Sequence, residues 1–392
     1  MIKMETRIIE LAKQLEPYII EKRRDFHMHP EIRFEEVRTS QIVEEELKKF
    51  GYKVIRTAGT GVIGILRGGN KGGKTVALRA DMDALPIQEE NDVPYKSKVP
   101  GKMHACGHDA HTAMLLGAAR ILAEIKDDLE GTVKLIFQPG EEGGAGAKNI
   151  VEEGHLDDVD AIFGIHVWAQ LPSGVIATRK GPIMASSDGY VIRIKGKGGH
   201  AAHPHLANDP TNPATDIYNA LQKIVSRNVN PFSPLVITTP VIKASHEYNV
   251  IPGVVEIKGT LRTFDMELRN KVMTRIKKIV EFYSKAWDCE GTIELFRIPY
   301  PPTVNDPKLA EFVMEIAKKL GSVVEAEPTM GAEDFAFYLQ KAPGVFIFLG
   351  IRNEEKGIVY PHHHPKFDVD ESVLWKGTAM YSLLACEFGT FE

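Results

Sequence analysis

Thr132-Val-Lys-Leu-Ile-Phe-Gln-Pro-Gly-Glu-Glu-Gly-Gly144 passes from an apolar run straight into two carboxylates and a pair of glycines. Its first six residues predict a strand, Thr132 to Phe137, which Pro139 and Gly140 bring to an end. Before it lies Met103-His-Ala-Cys-Gly-His-Asp-Ala-His111, opening an apolar stretch that predicts a helix from Asp109 to Ile125. After it, a short helix near Ala147 to Glu153 precedes a strand, Ala161 to Gly164, that leads into Ile165 and His166. Further upstream, Val62 to Leu66 and Thr75 to Arg79 are strand-like, the second running into Ala80-Asp-Met-Asp-Ala-Leu-Pro86. Strands alternating with helices predict an α/β layer structure on a mixed, mostly parallel sheet.

Ligands of such sheets bind beyond the carboxyl ends of the strands. Asp81 and Asp83, Glu141 and Glu142, and His166 each follow a predicted strand. They are expected to converge on one edge of the sheet, beside Cys106 and His108.

Outside this block, Met4 to Leu15 and Tyr18 to His27 have helical spacing. Thr39 or Ser40 is placed to cap a helix ending at Lys49, with Gly51 as its left-handed stop. Between Pro182 and Ile298 the order is strand (Tyr190 to Lys195), helix (Pro213 to Arg227), strands (Val236 to Ile242 and Val254 to Leu261), helix (Glu267 to Trp287) and strand (Thr292 to Phe296). That β-α-β-β-α-β order is ferredoxin-like, and predicts a domain at 183–298 inserted into one formed by 1–182 and 299–392. Pro299-Tyr-Pro-Pro302 marks the exit; a helix from Asp306 to Leu320, a strand from Val345 to Leu349 and a closing helix from Glu371 to Phe388 follow.

A chain of 392 residues has room for two domains, three at most, each with its own core. The net charge of −5, with no basic block, argues against a nucleic-acid partner. Cys106, Cys289 and Cys386 are too few for a disulfide framework and fit a reducing compartment. Met1 to Pro17 lacks a signal peptide's apolar centre, and no run reaches the roughly 18 apolar residues of a membrane helix. A cytoplasmic protein is expected.

Histidines are grouped at His27/His29, His104/His108/His111, His200/His203/His205 and His362/His363/His364, as expected where imidazole does chemistry. A dinuclear centre needs about two terminal ligands for each ion and a bridge, with a position open for water. Cys106, His108, Glu142, His166 and one of the three terminal histidines make such a set. Taken singly each is more often a packed or surface side chain; drawn together from four segments they are specific. Glu141 and Glu142 point in different directions, so one can bind metal while the other stays beside the water as general base. Asp81 and Asp83 suit the orientation of a ligating imidazole, whereas Asp109 fits a helix cap or first-turn acid. Lys195-Gly-Lys-Gly-Gly-His200 lacks the spacing and hydroxyl of a phosphate loop, which excludes that form of nucleotide binding. His200 is a loop histidine, placed to deliver a transition-state donor from a mobile domain.

With these residues in view, the chain resembles the aminoacylase/carboxypeptidase family of dinuclear metallo-amidohydrolases, and above all its hippurate hydrolase, N-acyl-amino-acid amidohydrolase and auxin-conjugate hydrolase branch. The matching stretches are Arg79 to Pro86, Met103 to Ala113, Phe137 to Glu142, Gly164 to Val167, Gly196 to His200, Tyr248 to Pro252, Gly259 to Arg262, Gly331 to Phe335 and His363 to Phe367. The resemblance implies a metallopeptidase-like catalytic domain with an inserted lid and dimerisation domain. It also implies metal ligands Cys106, His108, Glu142, His166 and His363, with Glu141 as general base. His363 is preferred to His362 and His364 because Pro365 and Phe367 set the branch's spacing. His200 is expected to act on a partner subunit's active site, and Asn249 and Arg262 to hold the substrate carboxylate.

Other branches carry His-x-Asp where Asp81-Met82-Asp83 stands, with an aspartate as metal bridge. Here Cys106 is expected to replace that bridge and His108 the missing imidazole, leaving Asp81 and Asp83, with Asp109, behind the ligands. His104 and His111 are expected in supporting or surface roles. The implied activity is hydrolysis of the amide bond of N-acyl amino acids by a metal-activated water. Two divalent ions are expected, zinc ahead of manganese or cobalt. The rivals are a carboxypeptidase acting on short or N-blocked peptides and a non-catalytic metal- or amino-acid-binding relative. A homodimer is expected, without nucleic-acid or membrane partners.

Overall fold

Strand Glu130–Gln138 lies inside an eight-stranded sheet. The order across that sheet is Lys53–Thr57, Gly61–Arg67, Glu130–Gln138, Asn70–Asp81, Ala161–Pro172, Gly344–Arg352, Ile176–Thr178 and Val323–Glu325. Asn70–Asp81 runs parallel to both of its neighbours, and Ala161–Pro172 runs parallel to Gly344–Arg352. The hairpin of Lys53–Thr57 with Gly61–Arg67 and its join to Glu130–Gln138 are antiparallel, so the sheet is mixed and mostly parallel. Central strands read as continuous apolar runs because both faces are covered; Gly344 to Ile351 is buried throughout. Helix His108–Glu124 is likewise buried at every position from His108 to Ala119, which explains its nearly unbroken apolar sequence.

The computed structural model describes residues 3–389 and 391; Met1, Ile2, Thr390 and Glu392, at the ends of the predicted catalytic domain, lie outside them. The chain divides into two compact units. One comprises Met1–Ile183, Val304–Glu327 and Asp334–Glu392, the other Met184–Thr303 and Pro328–Glu333. The second unit thus extends beyond 298 and recruits a segment assigned from sequence to the first. Two backbone bonds hold that segment, from Ala185 N to Thr329 O (3.1 Å) and to Gly331 O (2.9 Å).

Within the second unit, Asp188–Lys195, Thr211–Asn228, Leu235–Lys243, Val254–Thr263, Met266–Ala286 and Glu290–Leu295 follow the β-α-β-β-α-β order. Their sheet runs Leu235–Lys243, Val254–Thr263, Asp188–Lys195, Glu290–Leu295, each pair antiparallel. Ile192, Ile194, Ile217, Leu221, Ile257 and Ile276 fill its core. Asp265 caps the second helix, accepting from Glu267 N and Leu268 N.

Three local expectations change. Thr39 and Ser40 lie inside helix Val37–Lys49, whose N-cap position is Glu36; the Glu36 carbonyl already accepts from Ser40 N at 3.0 Å. Strand Ala161–Pro172 continues past Gly164, because Gly344–Arg352 carries the parallel ladder on to Trp168, so His166 stands within a strand rather than after one. The closing helix begins with a 3-10 turn, Glu371–Val373, before its α-helical part, Leu374–Phe388. Among the described residues no helix is long and apolar enough to cross a membrane.

The paired register of Asn70–Asp81 and Ala161–Pro172 ends at Arg79 and Gly164. There the buried Tyr381 hydroxyl donates to Arg79 O (2.6 Å) and accepts from Ile165 N (3.0 Å). Tyr381→Phe is expected to lower unfolding stability by roughly 1–3 kcal/mol, the cost of losing partners for buried backbone groups. The denaturant midpoint, at unchanged slope, measures it.

Candidate metal centre

Gly107 opens helix His108–Glu124 with φ 92°, and a Cβ there would stand 2.3 Å from Val167 Cγ2. Only glycine fits, and the turn it makes brings Cys106 and His108 to one site. From strand Ala161–Pro172, His166 Nδ1 donates to Val167 O at 2.5 Å, which leaves Nε2 as the lone-pair nitrogen, 3.5 Å from Cys106 Sγ. His108 Nδ1 lies 3.3 Å from Asp83 Oδ1, while its Nε2 is buried with no hydrogen bond among the described residues. His363 has a left-handed backbone (φ 65°), donates from its amide to Ala105 O, and brings Nε2 to 3.1 Å from Glu142 Oε1.

The potential donor atoms of Cys106, His108 and His166 all lie within 4.8 Å of one another. Those of Cys106, Glu142 and His363 meet the same limit, so the thiol belongs to both groups. The carboxylate of Glu141 is in a third such group with His108 and Glu142. A buried His108 Nε2 with no hydrogen bond among the described residues, a tautomer that leaves His166 Nε2 without a proton, and mixed S, N and O donors fit divalent metal ions.

Charge here is set by neighbours as much as by burial. Burial and the imidazoles of His111 and His362 hold His166 well below its ordinary pKa, which keeps it neutral. For Asp81, burial opposes ionisation, but Arg79, His108 and His111 outweigh it and hold the carboxyl well below the ordinary range. Burial and Glu142 push the Cys106 thiol up. A cation beside that sulfur would favour the thiolate.

Behind these side chains sits a buried polar layer. Asp83 accepts from Glu141 N (3.0 Å) and Glu142 N (2.9 Å) as well as facing His108. Arg79 joins Asp81 (2.8 Å), Gln138 (2.8 Å) and Asp334 (3.1 Å), and Asp334 N reaches Glu141 Oε1 at 3.4 Å. His111 has both nitrogens engaged: Nδ1 with Asp81 Oδ1 at 2.5 Å, and Nε2 accepting from Val167 N at 2.8 Å. His104 is buried, and neither of its nitrogens has a partner among the described residues; burial pushes its pKa down to about 4. Of the terminal run, His362 Nε2 accepts from Ala169 N, and His364 stacks on Tyr360 while its Nδ1 accepts from Lys366 N. His363 alone of the three shares a donor group with Cys106 and Glu142.

Asp109 is an acid in the first turn of helix His108–Glu124, one of the two places expected for it, but its side chain does not cap the helix. Its Oδ2 accepts from Arg23 Nε (2.9 Å) and lies 2.7 Å from His27 Nδ1, in a fully buried cluster. A partner 86 positions away outcompeted the local amides. Arg23, Arg79 and Asp334 were given no role from the sequence, although Arg79 and Asp334 stand in stretches that carry the resemblance; for Arg79, the signal was a charged residue at the end of an apolar run.

The other three candidates belong to the second unit. His200 lies in a two-stranded ribbon, Gly199–His200 with Val250–Ile251, and Ala201 N donates to Asn249 O at 3.0 Å. His200 Nδ1 accepts from Ala202 N (3.0 Å), so the neutral ring carries its proton on Nε2. Arg262 Nε donates to Thr260 Oγ1 at 3.1 Å.

Arg23 also binds Asp368 (2.8 Å) and Glu371 (3.2 Å). Arg23→Leu strands buried charge, and is expected to cost about 3–5 kcal/mol in denaturant unfolding. A loss under about 1 kcal/mol would show that these ions do not depend on one another.

Residues 77–387 match the sequence profile of Peptidase family M20/M25/M40. "Thermostable carboxypeptidase 2" of Saccharolobus solfataricus is 47% identical over 381 residues, covering 96% of this chain and 97% of that protein. "N-acetyl-L-cysteine deacetylase" of Bacillus subtilis is 41% identical, over 96% of this chain and 89% of that one. A Bacillus subtilis crystal structure described as a dinuclear metal binding peptidase from the M20 family superposes with a TM-score of 0.84 at 36% identity, over 97% of this chain and 100% of that one. With most of its length matched by the profile and near-complete alignment to these relatives, the chain belongs to peptidase family M20/M25/M40.

Proposed function

We propose that the chain hydrolyses the amide bond of N-acyl amino acids, using two divalent ions held by Cys106, His108, Glu142, His166 and His363. One observation carries the reading: two donor groups share the Cys106 sulfur, while the carboxylate of Glu141 stands within 4.8 Å of donor atoms on His108 and Glu142. A thiolate and three imidazoles favour zinc over harder ions. When bound, the ions polarise the amide carbonyl and lower the pKa of a water.

The protein's own groups do the rest. Glu141 accepts a proton from the attacking water as its oxygen bonds to the carbonyl carbon, then returns it to the nitrogen as the C–N bond breaks. Asp83 fixes the His108 ring through Nδ1 and the glutamate loop through two amides, so neither has to reorganise during the reaction. The roles of His200, as transition-state donor from a partner subunit, and of Asn249 and Arg262, as carboxylate-holding groups, rest on the resemblance. So do the lid, the homodimer and the cytoplasmic setting, for which the free Cys106, Cys289 and Cys386 suit reducing conditions.

A carboxypeptidase reading is favoured by the relative of that name, 47% identical. Both readings cleave an amide next to a free α-carboxylate, so parallel assays of N-acyl amino acids and N-blocked dipeptides separate them. Glu141→Gln is expected to lower kcat by at least about 100-fold with metal content unchanged. Near-normal turnover in that variant would sink the mechanism. His200→Ala is expected to reduce kcat by about 10- to 1,000-fold while KM changes little. A change confined to KM would instead assign His200 to binding.

A further inference from the structure

The loop that carries Glu141 is gripped by a segment with no part in the chemistry so far. Arg33 Nη1 donates to Glu142 O at 2.6 Å. Phe34, in a left-handed backbone (φ 61°), lays its ring over the two glycines that flank the carboxylates. A Cβ on Gly140 would stand 2.8 Å from Phe34 Cζ, and one on Gly144 2.7 Å from Phe34 Cε2. The glycines are therefore the floor on which that ring sits.

Glu36 completes the grip. It is fully buried, its Oε1 accepting from Gly140 N (2.9 Å) and its Oε2 from Thr60 Oγ1 (2.5 Å). Next along the chain, Asp83 takes the amides of Glu141 and Glu142. Three consecutive N–H groups thus end on two buried carboxylates. The segment is itself anchored: Glu31 accepts from Arg38 N (2.9 Å) and Thr39 N (2.8 Å), and Ala84 N donates to Glu31 O (2.8 Å). Burial pushes the Glu36 carboxyl up to about 7, against the stabilising bond from Thr60. Such a group is costly to keep, and a solvent-exposed amide would have needed none.

We propose that Glu36 is a positioning residue for the proposed general base, setting the direction of the Glu141 carboxylate through Gly140 N, with Arg33 and Phe34 clamping the same loop. Glu36 does not meet substrate. It acts one residue away, on the peptide from which Glu141 projects. The inference rests on the reading of Glu141 as base.

The test uses the full-length, metal-loaded protein and an N-acyl amino acid that the wild type turns over. Glu36→Ala is expected to lower kcat by about 10- to 100-fold, the penalty of displacing a reacting group by an ångström or so. KM and metal content should stay at wild-type values. Glu36→Gln, whose amide oxygen still accepts from Gly140 N, should recover most of the rate. If Glu36→Ala does not fold, Glu36→Asp, one methylene short, should show the same kcat loss at unchanged KM.

A folded Glu36 variant lacking the acceptor but with wild-type kcat would overturn the proposal. Loss of metal in step with loss of rate would overturn it too, placing the effect on Glu142. So would Glu36→Gln failing as badly as Glu36→Ala, since charge rather than the bond to Gly140 would then matter. Glu141→Gln separates the two layers: its activity would refute the base itself, whereas an inactive Glu141→Gln beside a fully active Glu36→Ala would refute only the positioning role.

Discussion

The carboxylate of Asp83 joins the two halves of the centre. It faces His108 Nδ1 from the start of helix His108–Glu124, and it accepts the amides of Glu141 and Glu142 at the end of strand Glu130–Gln138. A buried anion with donors on both sides stabilises only one relative placement of helix and loop. The direction of the His108 ring and the divergence of the two glutamates therefore follow from the same contact. Rearranging either would leave the charge under-solvated, which is the costly outcome inside a protein.

Arg79 extends that logic below the site. Its guanidinium is buried between Asp81 and Asp334 and bonded to Gln138, while the Tyr381 hydroxyl takes its backbone carbonyl. The sheet edge carrying the candidate ligands is backed by a connected polar layer rather than by aliphatic packing alone. Side chains so constrained hold a fixed geometry, which metal and proton-transfer chemistry both require. The apolar strands and helices beneath supply the stability, and the layer above them supplies direction.

Much of this was legible in the sequence, for definable reasons. Period-two and continuous apolar runs reported the strands, and apolar helices reported their burial, so both sheets were expected in kind. Boundaries failed where tertiary pairing extended an element, as Gly344–Arg352 did for the strand through His166. Cys106, His108, Glu141, Glu142 and His166 drew attention because thiol, imidazole and paired acids stand out beside apolar runs. Glu36 and Arg23 did not, since a charged residue in an amphipathic helix or beside its cap reads as solvated. What makes each functional or structural is a partner far along the chain, Gly140 for Glu36 and Asp109 for Arg23. Local spacing carries no trace of such a pair.

His108 and His111 show how far spacing can be taken. They sit three residues apart on one buried helix, both beside Asp81, with rings 5.4 Å apart. By motif they are equivalent. They differ in what occupies the second nitrogen. The strand amide of Val167 takes His111 Nε2, so that ring has no lone pair to offer and serves to hold Asp81 against the sheet. Nothing among the described residues hydrogen-bonds His108 Nε2, and its other nitrogen is engaged by Asp83. Of this pair, His108 keeps a buried nitrogen that no described residue hydrogen-bonds, and His111 keeps none. Their surroundings tell the two rings apart where sequence spacing, burial and proximity to the same carboxylate do not.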